Sequence, residues 1–183
     1  MPFALFALHH HPRGFVEMVV VDKGAFVRTY YRQLHELERV STRFGIRNFS
    51  RPLNHHIPNT YRFFEKPLTK ATYTYIMDVD VMLLDDVVPH FEAHFARNNT
   101  TVNNMIRKGT KRLTGMHFVK SDEYFTPALD ALQDEHYASP VDNDERILYR
   151  IVERLGKLPP TEFQWRPISV SYTHLTLPTS DLV

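Results

Sequence analysis

Cysteine is missing from all 183 residues. That excludes a disulfide scaffold and thiol chemistry, and it leaves the compartment open. Charge of one sign is missing too. The 22 basic and 21 acidic side chains leave a net charge of +1, so no strong field selects nucleic acid or a membrane surface. No apolar run approaches bilayer-spanning length. The opening residues, Met1-Pro2-Phe3-Ala4-Leu5-Phe6-Ala7-Leu8, are apolar but carry no basic leader and no small-residue cleavage site. They read as a helix fragment packed on a core rather than as a signal peptide. There is no internal repeat and no low-complexity tract. What remains is 43% hydrophobic and 23% charged residues, enough for one globular domain with a real core.

The most informative segment is Asp78-Val79-Asp80. It closes the apolar, β-prone run Ala71-Thr72-Tyr73-Thr74-Tyr75-Ile76-Met77 and precedes Val81-Met82-Leu83-Leu84. Residues two apart on an extended chain point the same way, so both carboxylates can face one point at the end of a buried strand. Two convergent hard oxygen ligands suit Mg²⁺ or Mn²⁺ with positions left open for phosphate oxygens. Asp-x-Asp by itself is common; at the exit of a core strand it is far more specific.

Elements alternate along the rest of the chain. Residues 15–21 are β-branched and read as a buried strand. Residues 24–44 carry apolar side chains at helical spacing, with Gly45 as the helix C-cap. Residues 47–67 read as a loop holding a short helix near 60–65, residues 73–77 as the central strand, and 89–97 as a short helix. Residues 98–107 read as a surface loop and 111–119 as a strand broken by Gly115, where a backbone or ligand approaches closely. Ser121 reads as an N-cap and 124–137 as a helix. Residues 140–144 read as a turn and 144–155 as an amphipathic helix ended by Gly156. This alternation predicts an α/β layer fold with a largely parallel sheet. Residues 15–21, 73–77 and 113–119 are expected to share that sheet.

Two segments now carry a family resemblance. Asn59-Thr60-Tyr61-Arg62-Phe63-Phe64, followed by Tyr73-Thr74-Tyr75-Ile76-Met77-Asp78-Val79-Asp80-Val81, resembles nucleotide-sugar glycosyltransferases of the GT-A fold, most of all the glycosyltransferase family 8 type. Arg112-Leu113-Thr114-Gly115-Met116-His117-Phe118 resembles the later strand whose Gly-containing segment lines the sugar pocket. Asp142-Asn143-Asp144-Glu145 resembles the acidic segment that opens the next helix. The resemblance runs from about residue 3 to residue 168. It implies a Rossmann-like mixed sheet (the nucleotide-diphospho-sugar transferase fold), truncated here. It also implies transfer of a sugar from a nucleoside-diphosphate donor to a hydroxyl acceptor, as in polysaccharide and surface-glycan synthesis. Such an enzyme is cytoplasmic or peripheral to a membrane, uses manganese or magnesium, has no nucleic-acid partner and needs no transmembrane segment. Two departures are expected. The strand that holds the nucleobase is missing ahead of residue 15. The late His-x-x-Gly or His-Gly-x-His metal segment is missing after Trp165-Arg166-Pro167-Ile168.

On this basis Asp80 is the first choice for direct metal ligation and Asp78 for ribose or metal contact. Arg62 can reach a phosphate or the carboxylates, as arginine does with planar anions. Gly115 and His117 are candidates for the sugar site, His117 more as a strand histidine than as a catalyst. Asp144 and Glu145 are candidates for holding acceptor hydroxyls or acting as base. Each also has a plainer reading: a turn pair, a surface ion pair, or helix N-terminal charge. Asp85 and Asp86 read as caps of the following helix. His9-His10-His11 and His55-His56 lack a spaced partner for zinc and read as solvated loop residues.

A haloacid dehalogenase-type phosphatase competes for the same motif, with Asp78 as nucleophile. There the motif normally continues with Thr and lies in the first strand, and neither holds here. A non-catalytic nucleotide-sugar-binding fragment is the third alternative. Finally, Val170-Ser171-Tyr172-Thr173-His174-Leu175-Thr176-Leu177-Pro178-Thr179 resembles a translated sequencing-library adapter. Residues 1–168 are therefore read as a partial glycosyltransferase domain, and 169–183 as a non-native tail expected to pack little.

Overall fold

The computed structural model of the chain describes residues 1–50, 58–79, 81–114, 116–133, 143–159 and 170–172. It is a mixed α/β protein in which short strands form small sheets between helices. The apolar opening residues form helix α1 (Pro2–His10), which buries Ala4 and Leu8. Strand β1 (Val16–Val20) follows, then α2 (Lys23–Thr29), α3 (Tyr31–Val40) and β2 (Phe44–Asn48). β1 and β2 pair in parallel, Val16 opposite Phe44 and Val20 opposite Asn48, so this stretch is a βαβ unit. Its core is Ala4, Leu8, Met18, Leu34 and Leu37.

Three expectations are corrected in this unit. β1 buries only Met18, and Phe15 and Val21 beside it are exposed. The single helix over 24–44 is two helices that meet at Tyr30 (φ −109°, ψ 23°). Gly45 lies within β2 instead of capping a helix. The physical reason is Ser41, whose extended backbone (φ −158°, ψ 143°) ends α3 and turns the chain into a strand. A Cβ on Gly45 would sit 3.3 Å from Phe15 Cζ, so the missing side chain makes room for that ring.

The second half is built on antiparallel pairing. β3 (Tyr73–Ile76) pairs with β6 (His117–Lys120), Ile76 opposite His117. β5 (Val102–Asn103) lines the other edge of β6, Val102 opposite Val119. The order is β3-β6-β5, so the middle strand is β6 and β3 is an edge. The largely parallel sheet is therefore corrected, and so is the sheet shared with residues 15–21. Both edges of β6 are taken by its antiparallel neighbours, and β1 pairs with the partner its own crossover delivers. The 98–107 loop is also corrected: it contains β5, and Val102, Asn103 and Asn104 are buried.

Between these strands lie β4 (Val81–Leu83) and α4 (Val88–Asn98). Asp86 Oδ1 accepts a hydrogen bond from Val88 N (3.0 Å), a turn just ahead of the helix, but the N-cap position is Val87, so the expectation that Asp85 and Asp86 cap α4 is corrected. After β6 come α5 (Ser121–Tyr124), α6 (Pro127–Gln133) and α7 (Asp144–Arg154). Ser121 lies inside α5 rather than capping it, and the helix expected over 124–137 begins only at Pro127, a residue suited to a first turn. The end of that expected helix, residues 134–137, lies outside the described residues. Gly156 ends α7 with φ +66°, a backbone that favours glycine. Three residues of the tail form a strand. β7 (Val170–Tyr172) pairs antiparallel with β4, because a strand edge offers unpaired N–H and C=O groups to any extended neighbour. Residues 173–183 lie outside the described residues. Among the described residues no helix is long and apolar enough to cross a membrane.

β6 separates two cores. Phe63, Phe64, Leu113, Val119, Tyr124, Leu129, Ile147 and Ile151 pack on one side. Val81, Leu83, Val87, Phe91, Phe95, Met116 and Phe118 pack on the other. Phe118 stacks on Phe91 with centroids 3.8 Å apart and planes 11° apart. Removing that ring leaves a cavity between β6 and α4, so Phe118→Ala should cost roughly 3–5 kcal/mol. Urea unfolding of the two proteins measures it; a loss under about 1 kcal/mol would mean that this core is loosely packed.

Candidate functional site

The site begins with an alternation in a 3-10 segment, Pro58–Phe63. Tyr61, Phe63 and the following Phe64 are buried, and α7 packs against the segment. Arg62, between them, is directed elsewhere. Its guanidinium lies 4.8 Å from the Phe63 ring centroid, a cation–π distance. Tyr124 Oη donates to the Phe63 carbonyl (3.1 Å), which ties this turn to α5.

From that base Arg62 reaches two carboxylates. Its Nη1 donates to Asp78 Oδ1, and its Nη2 donates to Asp144 Oδ2 (3.0 Å). Asp78 stands two residues past the end of β3, where its carbonyl accepts from Val81 N (3.2 Å) and closes the turn into β4. Asp144 is the first residue of α7. Asn143 caps that helix by accepting from Arg146 N (3.0 Å), and Asp144 Oδ1 accepts from Glu145 N (3.0 Å). A carboxylate in this first turn is favoured by the unpaired N–H groups of the helix start. Three residues nominated from the sequence, far apart along the chain, thus meet at one guanidinium. Their side chains are 17%, 35% and 24% exposed for Arg62, Asp78 and Asp144, so solvent still reaches the carboxylates.

The other nominated residues fall as follows. Glu145 is held by Arg107, whose Nε donates to both carboxylate oxygens (2.9 and 2.8 Å), and so stands apart from the Arg62 bridge. Asp80 and Gly115 lie outside the described residues, as do His55 and His56. His9 and His10 end α1 rather than lying in a loop. His11 is largely buried, with Nδ1 3.1 Å from Asp86 Oδ1. Its pKa is lowered, first by burial, although Asp86 opposes that. The loop reading is corrected for His9 and His10, because the helix runs two residues further than the apolar run, and the solvated reading is corrected for His11, which Asp86 draws inward; His9 is exposed as expected.

His117 is fully buried in β6, edge-on to Phe63 and to Tyr124. Its tautomer is set by a residue that sequence reasoning missed. Asn104 Oδ1 accepts from Met105 N (2.6 Å), Thr114 N (3.0 Å) and Thr114 Oγ1 (2.7 Å). That fixes its amide orientation, so Nδ2 donates to the Thr114 carbonyl and to His117 Nδ1, both at 3.1 Å. His117 Nδ1 is then an acceptor and Nε2 carries the proton. Burial, reinforced by the charge of Arg62, pushes its pKa down to about 3. Among the described residues His117 Nε2 and Arg62 Nε are buried and have no partner. Each such group left unpaired costs about 1–3 kcal/mol. The flanking Val102 and Ile106 were the only hint that Asn104 was core.

Chemically, two carboxylates from different elements converge on one cation, and each keeps oxygen exposed to solvent. That donor set fits Mg²⁺ or Mn²⁺. Among the described residues no three His, Asp or Glu side chains cluster as a metal site. No protein-family model matches the chain, and neither a curated protein nor a solved structure matches it.

The histidine gives a pH prediction. The folded pKa lies below the ordinary 6.5, so on acidification the unfolded chain takes up the proton first. His117's contribution to stability is full above about pH 6.5 and is lost down to about pH 3, at up to ~1.4 kcal/mol per pH unit. Ring ¹⁵N shifts should show the neutral Nε2–H form at pH 5. A titration midpoint above pH 6 would overturn the Asn104 assignment.

Proposed function

We propose that this chain is a metal-dependent glycosyltransferase domain of the GT-A type, which moves a sugar from a nucleoside diphosphate to an acceptor hydroxyl. One observation carries the reading: Arg62, Asp78 and Asp144 meet at the end of β3. The carboxylate of Asp78 stands just past the carboxyl end of β3, at the turn into β4. The resemblance of the segments around Arg62, Asp78 and Gly115 supplies the substrate class.

Breaking a sugar–phosphate bond leaves negative charge on the departing diphosphate. Asp78 and Asp80 would hold the Mn²⁺ or Mg²⁺ ion, which when bound supplies positive charge to those oxygens. Arg62 adds a second cation, fixed by Phe63 before the reaction begins. Asp144 and Glu145 are the candidates for the acceptor side, and Glu145 is already oriented by Arg107. His117, neutral throughout the physiological range, serves as a hydrogen-bond donor and not as the acid or base. The acceptor class by analogy is a surface glycan.

The test is calorimetric titration of the 183-residue chain with UDP or GDP, with and without Mn²⁺. Binding should require the ion. Asp78→Asn and Asp80→Ala should each weaken it by at least about tenfold, because a neutral amide or a methyl is a poor ligand for a hard cation. Equal binding by wild type and both variants would sink the site. Phosphate release from simple phosphomonoesters that depends on Asp78 would replace it with the phosphatase reading.

A further inference from the structure

The βαβ unit has an open edge, away from the Arg62 bridge. Among the described residues β2 has one strand neighbour, β1. Val16 N donates to the Arg43 carbonyl (3.0 Å), and Phe49 N donates to the Val20 carbonyl (3.1 Å). In a parallel pair, alternate residues of a strand turn their N–H and C=O to the same neighbour, so Arg43, Gly45, Arg47 and Phe49 face β1. Phe44, Ile46 and Asn48 turn theirs to the opposite edge. On that side Phe44 and Ile46 make no backbone hydrogen bond to any described residue. Open edges are normally blunted by proline, by an exposed lysine or by a bulge. Phe44-Gly45-Ile46-Arg47-Asn48 has no proline, and its one charge is turned away to Glu17 and Glu65.

The edge opens onto a groove of about 600 Å³. Val27, Leu34, Phe44 and Ile46 supply its apolar lining, and Tyr31, 64% exposed, stands beside them. Two opposite charges mark its ends. Lys23 lies at the Asn48 end, where its N donates to Asn48 Oδ1 (2.7 Å). Glu38 lies at the Phe44 end, beside Ser41 and Thr42, which lead into the strand. Both side chains are exposed, and neither forms an ion pair with a described residue.

We propose that this edge is the contact between two copies of the chain, which pair β2 with β2 antiparallel about a two-fold axis at Ile46. That axis sets Ile46 opposite Ile46 and Phe44 opposite Asn48, each pair exchanging its outward N–H and C=O groups. Gly45 falls opposite Arg47, so no like charges meet across the strands. The same rotation brings Glu38 of each copy to the end where the other copy holds Lys23. The edge is thus complementary to itself in charge as well as in backbone, as a two-fold contact requires. The two β1–β2 pairs become one four-stranded sheet. Its Phe44 and Ile46 side chains form a single apolar layer, with the α3 helices of both copies on that face. The proposal is independent of the glycosyltransferase reading, since it involves none of Arg62, Asp78 and Asp144.

The absence of native cysteine gives a direct test. In an antiparallel hydrogen-bonded pair the facing Cα atoms are about 5.5 Å apart, within disulfide range. Ile46→Cys in the full 183-residue chain should therefore form a disulfide-linked dimer on mild oxidation. Asn48→Cys should not, because its two copies stand about 13 Å apart along the strands. Sedimentation equilibrium of the unaltered chain should give a mass approaching twice 21.6 kDa as concentration rises. Glu38→Lys and Lys23→Glu should each weaken dimerisation about tenfold at low salt, and the double variant should restore it. If Ile46→Cys does not fold, that restoration is the deciding result. A chain that stays monomeric at millimolar concentration would overturn the proposal. Hydrogen exchange at Phe44 and Ile46 would then tell an edge covered by the chain's own residues from one left for a different protein, and either finding rejects the second copy. A dimer that Asn48→Cys links as readily as Ile46→Cys, or that ignores both charge reversals, would also overturn it.

Discussion

The burial of Phe63 and Phe64 beneath α7, with Tyr61 buried beside them, is the constraint on which the rest of the site depends. A 3-10 turn, with three residues per turn, separates the arginine from its neighbours. The same packing draws in α7, so the residue that opens that helix arrives opposite the arginine. Electrostatics then refines what apolar packing has placed. This order of causes matters, because the ion pairs are partly exposed and would be weak organisers by themselves.

Much of this was legible in the sequence because local chemistry decided it. The β-branched run at β1, the apolar run ending at Asp78, the proline of α4 and the glycine after α7 all produce the elements their residue types favour. The grouping of Arg62 with Asp78 and Asp144 was legible only as a set of candidates. What failed was sheet membership. Nothing in residues 15–21 or 73–77 says which strand edge each will meet, since pairing depends on who else is competing for that edge. Ser41 to Ile46 failed for a related reason: its apolar spacing suits a helix end and a strand start equally, and the choice is made by the core formed with α1. Asn104 was illegible because a polar side chain in an asparagine-rich stretch looks solvated until its three partner residues are in place.

β6 shows how alternation serves two purposes at once. His117 and Val119 face the core beneath α7, while Phe118 faces the core of α4. A single strand therefore places a polar donor within one apolar layer and the largest aromatic stack within the other. The neutral state of His117 follows from that placement, since a charged imidazolium there would be both desolvated and set against Arg62.

Arg47 carries a consequence of another kind. From β2 it reaches Glu17 Oε1 on β1 (2.6 Å), the nearly buried Glu65 just past the 3-10 turn, and the Lys66 carbonyl (3.1 Å). Glu65 Oε1 also accepts from Ser50 N and Oγ, both at 2.9 Å. The βαβ unit is thus latched to the arginine-bearing turn by charge and hydrogen bonds at this point. A polar latch is directional and all-or-none, unlike an oily contact that yields by degrees. Motion of the βαβ unit as a body would be felt three residues away from the guanidinium, as a tug on one backbone turn. The first half of the molecule therefore has a mechanical handle on the second, at the place where the carboxylates gather.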